Sequence, residues 1–120
     1  MKSYRDLDIF KLAYKLAIDI HEMTMTLPKY ELYEQGSQIS RSSKSIKDNI
    51  VEGYGRKRYK ADFIRFLVYS HSSCDEALEQ INMISDIHFK DNPLSILRND
   101  CETLGRKINK FIQYVELNWK

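Results

Sequence analysis

Between Ser37 and Tyr59 the apolar and small residues fall at Ile39, Ser42, Ser43, Ile46, Asn49, Ile50 and Gly53. Spacings of three and four place them along one stripe of an α-helix. Serines at the centre of such a stripe let a neighbouring backbone come closer than leucines would, while Ile39, Ile46 and Ile50 anchor it apolarly. A helix of this kind needs close helical companions, and the rest of the chain has to supply them. Gly53 is expected to end it as a left-handed C-cap, and Gly55 to allow a sharp reversal. Directly after the turn comes Arg56-Lys57-Arg58-Tyr59-Lys60, the densest positive charge in the chain.

Three further segments keep a helical period. The first takes Asp6 or Asp8 as N-cap and carries Ile9, Phe10, Ala13, Leu16, Ala17, Ile20 and Met23 as far as about Met25. Leu27-Pro28 breaks it, because proline disfavours helical geometry at the residue before it. The serine-lined helix then runs from about Tyr33 to Glu52, with Gly36 either fraying its first turn or leaving Ser37 as the true start. A third helix starts between Tyr59 and Asp62 and ends near His88, with Phe63, Phe66, Leu67, Ser70, Cys74, Ala77, Ile81, Ile84 and His88 on one face. The fourth takes Asn92 as N-cap and Pro93 as first residue, and carries Leu94, Leu97, Cys101, Leu104, Ile108, Phe111 and Val115 as a heptad seam. Four amphipathic segments with short connections predict an all-α fold, an antiparallel up-down-up-down four-helix bundle, as one domain over residues 1–120.

Some apolar residues lie off the core stripes. Leu12 and Ile18 on the first helix, and Ile64, Val68, His71 and Leu78 on a second stripe of the third, are expected to contact another subunit.

The central segment also carries a family resemblance. Ser37-Gln38-Ile39, Arg41, Ser45-Ile46, Asn49-Ile50, Glu52-Gly53, Gly55-Arg56 and Asp62-Phe63 resemble the signature of the four-helix-bundle proteins encoded in intervening sequences of bacterial 23S rRNA genes, often described as ribosomal-protein-like. Leu27-Pro28, Glu31 and Tyr33 continue the match upstream, and Phe66-Leu67, Ser70 and Leu78-Glu79 downstream. Ser40 stands where the family usually has a second arginine, Ser42 and Ser43 where it has alanines, and Gln35 where it has an apolar residue. The resemblance implies assembly into ring-shaped homopentamers. It extends to the accessory variability determinants of diversity-generating retroelements, which work with a reverse transcriptase and RNA.

Several chemistries find no support in the residues. No apolar run approaches the ~20 residues of a membrane span, and the N-terminus lacks the order of a signal peptide, so a cytoplasmic location is expected. Cys74 and Cys101 lie on helical apolar stripes with no CxxC and no histidine at ligand spacing, and read as reduced, buried thiols; a disulfide stays open if the third and fourth helices bring them together. His71, Cys74 and Asp75 share a helical turn, but a helix interior offers no oxyanion hole, so a packed thiol and an interfacial histidine are preferred to Cys-His catalysis. The di-metal sites of four-helix bundles use Glu-x-x-His pairs, and the positions three before each histidine are Ile18, Val68 and Ser85. Gly53-Tyr54-Gly55 lacks the rest of a phosphate-binding loop. No metal, no cofactor and no enzymatic activity are expected. Asn49, a polar amide on the seam, is expected to tie the following loop or a partner helix.

Charge is distributed unevenly. Arg41 to Arg65 holds eight basic and three acidic residues in a chain of net charge +2, which leaves the remainder acidic. Positive side chains beside tyrosines suit phosphate neutralisation and base stacking. The functional expectation is a non-enzymatic homo-oligomer that binds RNA or a nucleoprotein through Arg41, Lys44, Arg56, Lys57, Arg58 and Lys60, with Tyr54 and Tyr59 as stacking partners. The alternative is a structural adaptor that docks a protein, its basic turn used in assembly.

Overall fold

The computed structural model describes residues 3–120 and contains helices and turns, with no strand among the described residues. Four long helices dominate: α1 (Asp8–Thr24), α2 (Ser37–Gly55), α3 (Lys60–His88) and α4 (Ser95–Asn118). Each packs on its neighbours in sequence, and α4 closes onto α1. This is the ring order of the expected antiparallel up-down-up-down bundle, drawn out to 48 × 21 × 20 Å. Buried apolar residues from Leu7 to Val115 join in a single cluster, with Ile20, Ile39, Ile46, Ile50, Phe63, Leu67, Ile81, Leu104 and Ile108 inside it.

The serine stripe does what its composition requires. Ser70 Oγ donates to the Ile46 carbonyl at 2.7 Å, Ser42 Oγ donates to Gln80 Oε1 at 2.5 Å, and the Ser45 and Ser73 hydroxyls lie 2.9 Å apart. A hydroxyl reaching a backbone carbonyl of the facing helix requires the two axes to come close. Ser43, also buried, returns its hydroxyl to the Ser40 carbonyl of its own helix.

Gly53 corrects the expectation drawn for it. Among the described residues no glycine has positive φ, and α2 continues through Gly53 to Gly55. The missing side chain is needed for space, since a Cβ at Gly53 would stand 3.1 Å from Phe66 Cβ and 3.3 Å from the Phe63 carbonyl oxygen. Gly55 faces no atom within 4 Å.

The helix starts also differ. Ser3 caps a short 3-10 turn, Tyr4–Asp6, and Asp6 completes a capping box by accepting the Ser3 N–H. Asp6 therefore belongs to that turn, Asp8 to the first turn of α1, and the N-cap position between them is the buried Leu7. Helical backbone resumes immediately after Pro28, as the turn Lys29–Glu31 and a π-helical turn, Leu32–Gly36, so the α2 segment starts at Ser37 after a wide turn. Asn92 and Pro93 lie outside α4, whose N-cap position is Leu94. Ser85 Oγ meets the Leu94 N–H at 3.4 Å, and the Pro93 carbonyl accepts from Ser95 at 2.8 Å.

Off-stripe residues divide. Leu12, Ile64 and Leu78 are partly buried against the chain's own core, so their contacts are at least partly internal. Ile18 and Val68 stay exposed, while His71 is half-buried with Nδ1 3.7 Å from Asp75 Oδ2. No helix among the described residues is long and apolar enough to cross a membrane.

At the end of the bundle away from the basic turn, Glu31 Oε2 lies 2.7 Å from His88 Nε2 and accepts from Gln35 Nε2 at 3.2 Å. The His88 hydrogen bond holds the Glu31 carboxyl below its ordinary value. A depressed carboxyl contributes stability above its unfolded pKa and loses that contribution as pH falls through the folded one. Glu31→Gln is therefore expected to flatten part of the acid limb of the stability curve below about pH 4.5, measured by urea unfolding across pH.

Gly53→Ala should destabilise the bundle, because overpacking costs about 1–3 kcal/mol and outweighs the ~1 kcal/mol of helix propensity that alanine adds. Gly55→Ala should be neutral or stabilise by up to about 1 kcal/mol. Opposite signs in the unfolding midpoints are the expected result.

Candidate nucleic-acid interface

The basic corner is built by the way α2 stops. Arg56 N–H donates to the Gly53 carbonyl at 3.0 Å and Lys57 N–H to the Tyr54 carbonyl at 3.2 Å; Tyr59 N–H then donates to the Arg56 carbonyl at 2.9 Å. Tyr59, in extended backbone, stands at the N-cap position of α3. So tight a reversal leaves the side chains of residues 56–59 exposed.

The C-terminal end of α4 braces this reversal. Trp119 Nε1 donates to the Lys57 carbonyl at 3.2 Å, and Lys60 Nζ donates to the Glu116 carbonyl at 2.6 Å, satisfying one of the free carbonyls at that helix end. Trp119 and Phe111 each meet Phe63 edge-to-face, at centroid distances of 5.3 and 5.9 Å. Sequence reasoning missed both braces, which join residues far apart in the chain.

The cations fall into two groups. Arg56 reaches Glu52 at 3.3 Å and Asp62 at 3.9 Å, while Arg65 reaches Asp62 at 3.3 Å. Both guanidiniums lie over Phe66, 4.9 and 5.2 Å from its centroid. Arg56 and Lys60 are thus engaged within the chain, and Arg41 donates to Ser37 Oγ at 2.7 Å. Lys44, Lys57 and Arg58 are exposed and form no ion pair among the described residues. Arg65 and the half-buried Phe66 belong to this surface, although the helical stripe placed Phe66 in the core and the basic spacing singled out no role for Arg65.

The two tyrosines separate sharply. Tyr59 is 63% exposed, with Arg58 5.9 Å from its ring centroid. Tyr54 is buried: its ring meets Phe63 edge-on, and Lys57 Nζ sits 3.9 Å from its centroid. Tyr54 therefore offers no open face for a base, because α2 runs one turn further than expected and turns it inward. Asn49 also differs from expectation, since its amide donates to the Ser45 carbonyl of its own helix at 2.9 Å. Along α2 below the corner lies a groove of about 650 Å³ lined by Arg41, Lys44, Asn49, Glu52 and Phe66.

Among models of known families, the one described as 23S rRNA-intervening sequence protein matches residues 5–110. The chain belongs to this family. The match takes in the serine stripe, the basic corner and the Arg65-Phe66 cluster, while the two bracing residues, Glu116 and Trp119, lie beyond it. No curated protein matches the chain. For this member of the family, the His71-Cys74-Asp75 turn resolves into two separate pairings: His71 faces Asp75, and Cys74 faces Cys101 on α4. No cluster of three or more His, Cys, Asp or Glu suited to a metal occurs among the described residues.

Trp119→Phe keeps the aromatic packing and removes the indole donor to Lys57. It is expected to lower stability by about 0.5–1.5 kcal/mol and to speed amide hydrogen exchange over residues 56–59. Unchanged exchange there would show that α4 does not brace the corner.

Proposed function

We propose that this 23S rRNA-intervening sequence protein is a non-enzymatic homo-oligomeric bundle, a pentamer, that binds structured RNA through its basic corner. The observation that carries this reading is the set of cations facing solvent, Lys57 and Arg58 at the corner with the exposed ring of Tyr59, and Lys44 on the groove along α2. Charges already paired within a chain have less to gain from a phosphate, so these three supply most of the attraction. Arg41, Arg56 and Lys60 act at the edge of the contact and can exchange their present partners for phosphate. Recognition then follows the shape of the RNA backbone more than its sequence.

Oligomerisation is supported by the exposed apolar side chains Ile18, Val68 and Tyr69 on the outer faces of α1 and α3. A ring of corners would multiply weak contacts into useful affinity. The same apolar side chains favour the second reading, an adaptor that docks a protein partner.

For a labelled hairpin RNA, affinity should fall steeply with added salt. Lys44→Gln, Lys57→Gln and Arg58→Gln should each lower the log–log salt slope by about 1, and the triple variant by about 3. A triple variant that binds like the wild type excludes this surface, and an absence of salt-dependent binding in the wild type favours the adaptor. Light scattering should return about five times the 14.3 kDa chain mass, whereas a mass of one chain removes the ring.

A further inference from the structure

Cys74 on α3 and Cys101 on α4 face each other with their sulfurs 3.7 Å apart. Each thiol also lies against the other residue's backbone carbonyl, Cys74 Sγ 3.3 Å from the Cys101 oxygen and Cys101 Sγ 3.5 Å from the Cys74 oxygen. Reciprocal contacts of this sort mean that the two helices approach closely at this level, so that modest side-chain rotation would bring the sulfurs to bonding distance.

Both thiols are nearly covered, yet they are not sealed. A groove of about 270 Å³ reaches them, lined by His71, Cys74, Cys101, Gly105 and Arg106 among others. Gly105 borders it: a Cβ there would stand in van der Waals contact with Cys74 Sγ, 3.6 Å away. Glycine in a helix interior costs about 1 kcal/mol against alanine, and nothing in the turn geometry requires it here, since its φ is not positive. The groove is therefore bordered beside Cys74 Sγ by a residue with no side chain.

We propose that Cys74 and Cys101 form a reversible redox pair, oxidised by a small hydroperoxide that enters through the Gly105 groove and yields a disulfide that staples α3 to α4. Cys74 is the attacking sulfur. Its sulfur is the one beside Gly105, on the groove through which the oxidant enters. With hydrogen peroxide, Cys74 sulfur takes one oxygen as the O–O bond breaks. The other oxygen leaves with the thiol proton as water, and Cys74 becomes a sulfenic acid. Cys101 sulfur then attacks Cys74 sulfur. The S–S bond forms, the S–O bond breaks, and the hydroxyl departs with the Cys101 proton as a second water. Two thiols lose two electrons and one peroxide gains them. The staple closes the loop that contains the α3–α4 connection and restrains the unfolded chain.

The test uses the full reduced chain and dilute hydrogen peroxide, followed by denaturation, alkylation and intact-mass measurement. The expected product is a single chain lighter by two hydrogens, with neither thiol alkylated and both recovered after dithiothreitol. Its melting temperature should rise by about 10 °C over the reduced form. In Cys101→Ser a sulfenic-acid probe should label Cys74, while Cys101 in Cys74→Ser should react more slowly by about tenfold or more. Gly105→Leu should slow the wild-type oxidation by a similar factor, about tenfold. Two thiols that remain alkylatable at peroxide levels sufficient for a free thiol would overturn the proposal, as would cross-links found only between chains. These readouts involve no RNA and stand apart from the test of the basic corner.

Discussion

The close approach of α2 and α3 is the constraint on which the rest of the molecule depends. Three side-chain contacts, Ser70 to the Ile46 carbonyl, Ser42 to Gln80 and Ser45 to Ser73, run down that seam, and Gly53 finishes it against Phe63 and Phe66. Bulky residues at these positions would hold the helices apart at an ordinary packing distance. Serine is accommodated here because each buried hydroxyl finds an acceptor in the facing helix or its own, so proximity is secured without an unmet polar group. Among the described residues no buried side-chain nitrogen or oxygen lacks a partner.

The corner's shape follows from that seam. Helices held close at the Gly53 level are joined here by a tight turn, and residues 56–59 lie exposed on it. Positive charge is thereby concentrated on a short, exposed reversal. Repulsion within it is relieved by Glu52 and Asp62 on either side and by aromatic faces beneath Arg56, Lys57 and Arg65.

Periodicity disclosed the four helices, the serine seam and most of the core, because a buried stripe repeats whatever it is buried against. What it concealed were choices that depend on the neighbour. A glycine near a helix end suits either a left-handed cap or a close approach, and Gly53 proved to be the second because Phe63 and Phe66 lie opposite. That single difference carried the helix one turn further and turned Tyr54 from the surface into the core. Asn92-Pro93 has the composition of a helix start, yet Ser85, from the preceding helix, supplies the hydroxyl that meets the Leu94 N–H. The braces from Trp119 and Lys60 were illegible for the same reason. Cys74 and Cys101 were assigned to their stripes correctly, but only their shared level in the bundle brings the two sulfurs together.

Bracing bears on how few charges the corner needs. A flexible loop of lysines and arginines must surrender backbone and side-chain freedom on meeting a polyanion, a loss of roughly 1–2 kcal/mol for each backbone residue fixed. Here Trp119 and Lys60 already tie the turn to the end of α4, so the backbone of residues 56–59 has lost that freedom in the free protein. Only the side chains remain to be ordered, and Lys57 is already laid over the Tyr54 ring. For the proposed contact, a surface prepared in this way means that little of the contact energy is spent on forming the surface that makes it.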